Sequence, residues 1–255
     1  MAGFSDQTMG LGDIQVIPHP DVMLVIDIGG GLLVDNAGGR QRRSSVVAGL
    51  APIGAAGRGG AQSFECLQVR LSPVAAHAVL GDCAQLSGTV VALDDLWGRE
   101  TELIQEQLSA TASWEDRFAI AESALIRRLE TGRAADQEVA FAWRQLMATR
   151  GRIRVERLAA ETGWSRKRLW SRFRSQIGIT PKQAARLVRF DHAARLLTAG
   201  HSPAAVAADG GYADQPHLHR EVLAFTGMTP AAIAVTPFLA VDDVAWPEPL
   251  HASRT

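Results

Sequence analysis

The sequence predicts an α+β protein. A small β-rich N-terminal domain, cupin-like or half-barrel in form and carrying some helices, precedes an all-α domain with two helix-turn-helix units. The first third of the chain holds short β-branched and apolar runs broken by glycines, a pattern typical of strands and turns. From about residue 99, apolar residues recur at three- and four-residue spacing, which is the period of an amphipathic helix.

Charge is distributed unevenly along the chain. Residues 1–149 carry a net charge of −7, residues 150–235 carry +8, and residues 236–255 carry −2. A basic block within a chain of net charge −1 indicates a site for a polyanion. A basic surface that only faces solvent is the other interpretation of the charge alone.

Four segments follow from these patterns: a β-rich domain at residues 1–98, a helical connector or dimerisation region at 99–149, the double helix-turn-helix domain at 150–235, and a loose tail at 236–255. Strands are predicted at residues 22–28, 31–34 and 64–71, and helices at 74–80, 114–129 and 136–149. Leu103 is placed on one face with Ile104 and Leu108, and Leu129 ends the apolar stripe of the helix at 114–129. That helix either packs on its own sheet or forms a dimer face.

The first helix-turn-helix unit has a clear local signature. A short amphipathic helix, Val155–Thr162, ends at a turn of Gly163 and Trp164, and Ser165 is a favourable N-cap for the helix Arg166–Ile177. Leu169 and Phe173, four residues apart, are the expected core anchors of that second helix.

A near-repeat of this unit follows. Ser202 and Pro203 start a helix at residues 204–209, glycines and Tyr212 make the turn, and Asp214 or Ala213 caps a helix that runs to about residue 225. A long helix at 182–197 joins the two units and holds them at fixed spacing. That spacing could place two helices in successive major grooves of DNA, about 34 Å apart.

Residues 150–235 resemble the DNA-binding domain of the AraC/XylS family of bacterial transcription regulators. The resemblance rests on the two units, the joining helix and three motifs: Gly211-Tyr212-Ala213-Asp214-Gln215, His217-Leu218-His219-Arg220 and Gly227-Met228-Thr229-Pro230. It implies a cytoplasmic regulator with double-stranded DNA and RNA polymerase as partners, active as a monomer or a homodimer. It also implies that the N-terminal domain senses a small-molecule effector, dimerises the chain, or does both.

The same resemblance, carried onto this sequence, selects candidate DNA contacts. Base contacts are expected from Lys167, Trp170, Ser171, Gln215, His219 and Arg220. Phosphate contacts are expected from Arg166, Arg168, Arg172, Arg174 and Lys182. Trp170 could instead pack against the joining helix, and each arginine could be merely solvated. Residues 150–200 carry +10 and residues 201–235 carry −2, so the first unit and joining helix are expected to supply affinity and the second unit selectivity.

Other classes of function find little support in the sequence. No apolar run is long enough for a membrane helix, and the N-terminus lacks a secretory pattern. Cys66 and Cys83 do not have metal-ligand spacing, and no catalytic residue, metal or cofactor is predicted. Two alternatives stay open: a small-molecule enzyme with an accessory DNA-binding domain, and an interaction module whose basic region binds an acidic partner protein.

Overall fold

A computed structural model describes residues 1–6, 14–15, 18–29, 32–36, 39–43, 45–50, 56–58, 64–81 and 83–235. Antiparallel sheets with flanking helices form the N-terminal part, and the rest of the described chain is helical. The predicted α+β fold class is therefore confirmed. The predicted loose tail at 236–255 lies outside the described residues, as does the start of the strand predicted at 31–34.

Within the described ranges nine strands form two sheets. They are β1 (Ala2–Asp6), β2 (Ile14–Gln15), β3 (Val22–Gly29), β4 (Leu32–Asn36), β5 (Gly39–Arg43), β6 (Ser45–Ala48), β7 (Ala56–Arg58), β8 (Phe64–Leu71) and β9 (Val90–Ala92). One sheet has the order β1-β8-β3-β6-β9 and the other the order β2-β7-β4-β5. All of these strand pairs are antiparallel.

The central strand β3 shows why this part of the chain forms a sheet. Its residues alternate between fully and partly buried, because successive side chains of a strand point to opposite faces. The fully buried set is Val22, Leu24, Ile26 and Ile28. Leu24 lies opposite Val69 of β8 and Val47 of β6, so three strands contribute to one apolar layer.

Four helices and a short 3-10 helix complete the N-terminal part. They are α1 (Pro73–Leu80), the 3-10 helix Cys83–Leu86, α2 (Asp94–Trp97), α3 (Arg99–Ala110) and α4 (Trp114–Thr131). Polar bonds fix α3 on the sheet: Gln105 Nε2 donates to Ser45 Oγ at 2.9 Å, and Ser109 Oγ donates to the Ile28 carbonyl at 2.8 Å. Cys66 is buried in β8, and burial raises the pKa of its thiol to about 12.

Helical periodicity misplaced two leucines and gave no sign that Arg117 is buried. Leu103 and Leu129, predicted on apolar inward stripes, are 49% and 50% exposed, so that part of the prediction is wrong. Arg117 on α4 is instead buried, where Nη1 donates to Glu65 Oε1 of β8 at 2.7 Å and Nε donates to the Thr111 carbonyl at 2.7 Å. Paired in this way, a guanidinium can sit inside the apolar side of a helix.

The C-terminal half is a set of seven helices within the described chain. They are α5 (Gln137–Ala148), α6 (Val155–Thr162), α7 (Arg166–Ile177), α8 (Pro181–Thr198), α9 (Pro203–Asp209), α10 (Gln215–Thr226) and α11 (Pro230–Val235). Helix α5 contacts α6, α7 and α8, while α7 also contacts α1 and the 3-10 helix of the N-terminal part. The boundary at residue 150 stays a prediction, and the packing of α5 favours an earlier start for the helical unit. None of the described helices combines the length and the apolar character that crossing a membrane requires.

Candidate nucleic-acid interface

The first helix-turn-helix unit forms as its sequence predicts. Helix α6 ends at Gly163, whose φ of 68° is a left-handed conformation suited to glycine, and the chain turns there into α7. Ser165 caps α7, accepting a hydrogen bond from the Arg168 amide at 3.2 Å. Leu169 and Phe173 are completely buried, so they anchor one face of α7 to the protein.

The opposite face of α7 is open to solvent. It presents the exposed side chains of Lys167, Trp170, Ser171 and Arg174. The Trp170 indole is 46% exposed and lies under the Arg174 guanidinium, 5.3 Å from it, so it does not pack away against α8. The Arg168 guanidinium likewise lies over the Trp164 ring at 4.5 Å. Two cation–aromatic pairs therefore hold charge at this surface without neutralising it.

Two arginines of α7 are bound to carboxylates instead. Arg172 makes a two-pronged bond to Asp136, from Nε to Oδ2 at 2.7 Å and from Nη2 to Oδ1 at 2.8 Å. The hydrogen bond from Arg172 holds the pKa of Asp136 below its ordinary value. Gln176, also on α7, accepts from the Asp136 amide at 2.9 Å. Arg166 pairs more loosely with Glu156 at 3.4 Å. Arg172 thus ties α7 to the start of α5.

Helix α8 begins with a complete capping box. Thr180 accepts from the Gln183 amide, and the Gln183 side chain accepts from the Thr180 amide at 2.9 Å. Lys182 is exposed in the first turn. Further along, Arg186 and Arg189 bond to Glu221 of α10, and Arg195 bonds to Asp191. Three of the arginines that make this region basic are therefore paired within the protein.

The second unit repeats the geometry of the first. Gly211, with φ of 75°, lies in the turn between α9 and α10, and the Asp214 carboxylate caps α10 by accepting from the His217 amide at 2.6 Å. Asp214 rather than Ala213 is thus the capping residue. Leu218 and Val222 are completely buried. The open face of α10 presents Gln215, His219 and Arg220.

A family model described as a helix-turn-helix domain matches residues 158–234, which span α7 to α10 and most of α6 and α11. The chain carries an AraC-type helix-turn-helix domain. The match identifies this C-terminal part of the chain alone. Comparison with curated protein sequences gives no match.

Solved structures extend the likeness to the N-terminal part. ToxT from Vibrio cholerae is 9% identical, with 91% of this chain and 97% of that chain covered, at a TM-score of 0.51. ToxT bound to (E)-4-(8-methylnaphthalen-1-yl)but-3-enoic acid is 10% identical, with 93% and 97% covered, also at 0.51. At this identity the comparison establishes a shared fold. The C-terminal domain of AraT from Geobacillus stearothermophilus is 19% identical over 39% of this chain and 84% of its own, at 0.37.

The surface of the AraC-type domain contains most of the residues that the sequence selected, but the acidic partners of the arginines were missed. Asp136 and Glu221 had no predicted role, although both hold arginines in place. A signal for Glu221 exists: it lies three residues after Leu218 and next to Val222, on the inward face of α10. Within the described ranges no group of three His, Cys, Asp or Glu side chains could hold a metal ion.

Proposed function

We propose that the chain binds specific sequences of double-stranded DNA by placing α7 and α10 in the major groove. The observation that carries the proposal is the open polar face of α7, which lies opposite the buried Leu169 and Phe173. Base contacts are assigned to Lys167, Trp170, Ser171, Gln215, His219 and Arg220. All six are exposed, which a side chain that contacts a base edge must be.

Fewer side chains are available for phosphate contacts than the charge of the sequence alone predicts. Arg168, Arg174 and Lys182 are exposed, and no carboxylate pair involves them within the described chain. Arg166 lies 3.4 Å from Glu156 at an exposed position, a weak pair that a phosphate can replace. Arg172 is held by both carboxylate oxygens of Asp136, so we assign it a structural role ahead of a phosphate contact.

In this proposal the two helix-turn-helix units contribute differently to DNA affinity and to selectivity. The open face of the first unit carries several cations, while that of the second carries Arg220 beside the neutral Gln215 and His219. Phosphate neutralisation supplies affinity and its dependence on salt, whereas base contacts discriminate between sequences. The first unit therefore contributes most of the affinity and the second most of the selectivity.

We further propose that a small organic molecule bound by the N-terminal part modulates DNA binding. ToxT, which shares the fold, has been solved with a bound carboxylic acid. In this chain α7 contacts α1 and the 3-10 helix of the N-terminal part. A ligand that shifts α1 or the 3-10 helix can therefore act on α7.

The N-terminal proposal is tested by thermal unfolding in the presence of aliphatic and aromatic monocarboxylic acids. A ligand at one hundred times its Kd stabilises the folded state by about 2.7 kcal/mol, enough to raise Tm measurably. The proposal requires that an acid which raises Tm also changes DNA affinity. A panel without effect on either quantity would contradict it.

The DNA-binding proposal is tested by gel mobility shift against fragments of the host genome at several salt concentrations. We expect a subset of fragments to shift at salt where bulk DNA does not, with affinity falling steeply as salt rises. Equal binding to all fragments would contradict sequence-specific reading and favour a merely basic surface.

The same proposal includes RNA polymerase as a partner, a cytoplasmic location and the choice between monomer and homodimer. Sedimentation of the protein with a bound fragment gives the stoichiometry.

A further inference from the structure

Helix α10 is attached to α8 by an ionic contact whose carboxylate is buried. Glu221 of α10 is only 4% exposed, and both of its oxygens accept hydrogen bonds from α8. Arg186 Nε donates to Oε2 at 3.0 Å, while Arg189 Nη2 donates to Oε1 at 3.1 Å and to Oε2 at 3.2 Å. We call Arg186, Arg189 and Glu221 the α8–α10 clamp.

Aromatic rings complete the clamp on both sides. The Arg186 guanidinium lies 5.5 Å from the centre of the Phe225 ring, and that of Arg189 lies 5.1 Å from the Tyr212 ring. Phe225 in turn stacks on Phe190 of α8 at 4.7 Å. Each guanidinium is therefore oriented by a ring and a carboxylate together, which leaves little freedom for α10 to roll on α8.

We propose that the α8–α10 clamp sets the position and rotation of α10 relative to α7, and that Glu221 is a positioning residue for DNA reading. The inference rests on the proposed function, because it concerns how the two units act on one DNA molecule. Glu221 adjoins Arg220 and lies two residues from His219, so rotation of α10 at Glu221 moves both reading side chains. Successive residues are about 100° apart around the axis of a helix, since a turn contains about 3.6 residues, so the angle at which Glu221 is held also sets the angles of its neighbours.

A directional contact suits this task better than an apolar one. Replacing a buried ion pair with well-packed apolar residues often preserves stability, so stability alone does not require the clamp. An apolar surface tolerates small slides and rotations, whereas the four hydrogen bonds that Arg186 and Arg189 donate to the Glu221 carboxylate fix an angle. Glu221 also offsets one of the two positive charges of Arg186 and Arg189, which reduces the charge near the second unit that cannot distinguish sequences.

The test is selection of bound sequences from a DNA library with a randomised 40-base-pair core. The proteins compared are the full-length wild type and the variants Glu221→Gln, Arg186→Gln and Glu161→Gln. Glu161→Gln is the matched control, because it makes the same chemical change in the exposed pair of Arg157 and Glu161 on α6. Selection is carried out at a temperature where circular dichroism shows each variant folded.

We expect the wild type and Glu161→Gln to select two sequence boxes at one fixed separation. Glu221→Gln is expected to retain the first box, to spread over several separations, and to bind the wild-type site roughly tenfold more weakly, the scale of one lost base contact. Arg186→Gln should also broaden the range of separations, but less than Glu221→Gln does, because Arg189 still holds Glu221.

The outcomes separate the clamp from the proposed function. If the wild type selects no motif, the proposed function fails and the clamp fails with it. If the wild type selects two boxes and Glu221→Gln keeps the same fixed separation, the clamp proposal alone is overturned. Should Glu221→Gln not fold, Arg186→Gln decides: an unchanged separation overturns the proposal, and a broadened one supports it. A merely structural role would lower Tm without changing the separation.

Discussion

Two neighbouring arginines of α7, Arg172 and Arg174, are expected to behave differently when replaced by alanine. Sequence alone treats them alike, as phosphate contacts that supply affinity for every DNA sequence. In the structure the Arg174 guanidinium lies exposed over the Trp170 ring, whereas Arg172 is bound by both oxygens of Asp136. A guanidinium that is already neutralised within the protein releases few additional counterions when DNA binds.

The expected magnitude follows from counterion release. Each phosphate contact contributes about −0.9 to the slope of log K against log salt concentration on double-stranded DNA. Arg174→Ala should therefore make the slope shallower by about 0.9. Between 50 and 200 mM salt, the DNA affinity of Arg174→Ala should therefore fall by a factor roughly threefold smaller than that of the wild type. Arg172→Ala should leave the slope near the wild-type value and lower Tm instead, because it removes one of the contacts between α7 and the start of α5.

Asp136→Asn is the matched control for this comparison. It removes the carboxylate charge and leaves the arginine in place, so it should lower Tm as Arg172→Ala does. Its salt slope should equal or exceed that of the wild type, since Arg172 becomes free to reach a phosphate. Binding is measured by fluorescence anisotropy with a labelled duplex at five salt concentrations. If Arg172→Ala and Arg174→Ala made the salt slope equally shallower, Arg172 would have to leave Asp136 and contact a phosphate when DNA binds. That result would refute the reasoning.

Three further changes have expected outcomes. His19 is buried with its pKa lowered to about 3, so the folded state stays neutral at His19 while the unfolded chain takes up a proton below pH 6.5. Lowering the pH from 7 to 5 should therefore cost about 2 kcal/mol of stability at this residue. His19→Gln should remove this loss of stability in urea unfolding. Burial raises the pKa values of Asp21 and Asp191, so these carboxyls stabilise the folded state as the pH falls, in the wild type and in the variant alike. An unchanged pH dependence would contradict this. Gln215→Ala should reduce discrimination against changed base pairs by about 1–3 kcal/mol per position without altering the salt slope, which competition binding measures. Leu218→Ala should destabilise the second unit by about 2–5 kcal/mol in urea unfolding, because Leu218 is completely buried; a smaller loss would show that the site collapses around the change.

The sequence predicted helices α6 to α10 of the AraC-type domain to within a residue or two, because the signals that end helices are local; α11 was not predicted. Ser165 and Thr180 cap α7 and α8 with their own side chains, and Gly163 takes the left-handed conformation that the turn requires. The anchors Leu169 and Phe173 were likewise predicted, since a four-residue spacing on a helix specifies a shared face. None of these inferences needs knowledge of distant parts of the chain.

The errors arose where a distant element decides the environment. Leu103 and Leu129 have the correct spacing for burial, but no element of the described chain covers them well enough to exclude solvent. Arg117 has the wrong chemistry for burial, yet Glu65, which is far away in sequence, makes its position possible. A helical stripe indicates which residues can face inward, whereas the sheet and neighbouring helices determine which residues do.

The same distinction limits any estimate of DNA affinity from charge. A net charge of +10 over residues 150–200 counts every arginine as available, although Arg172, Arg186, Arg189 and Arg195 are bound to carboxylates. Two of those carboxylates, Asp136 and Glu221, lie outside the range in which the charge was counted. The arginines of this domain thus perform two tasks, fixing the helices to one another and contacting the phosphate backbone. A buried acidic residue on the inward face of a helix, as Glu221 is, indicates in the sequence itself that some nearby arginines have the first task.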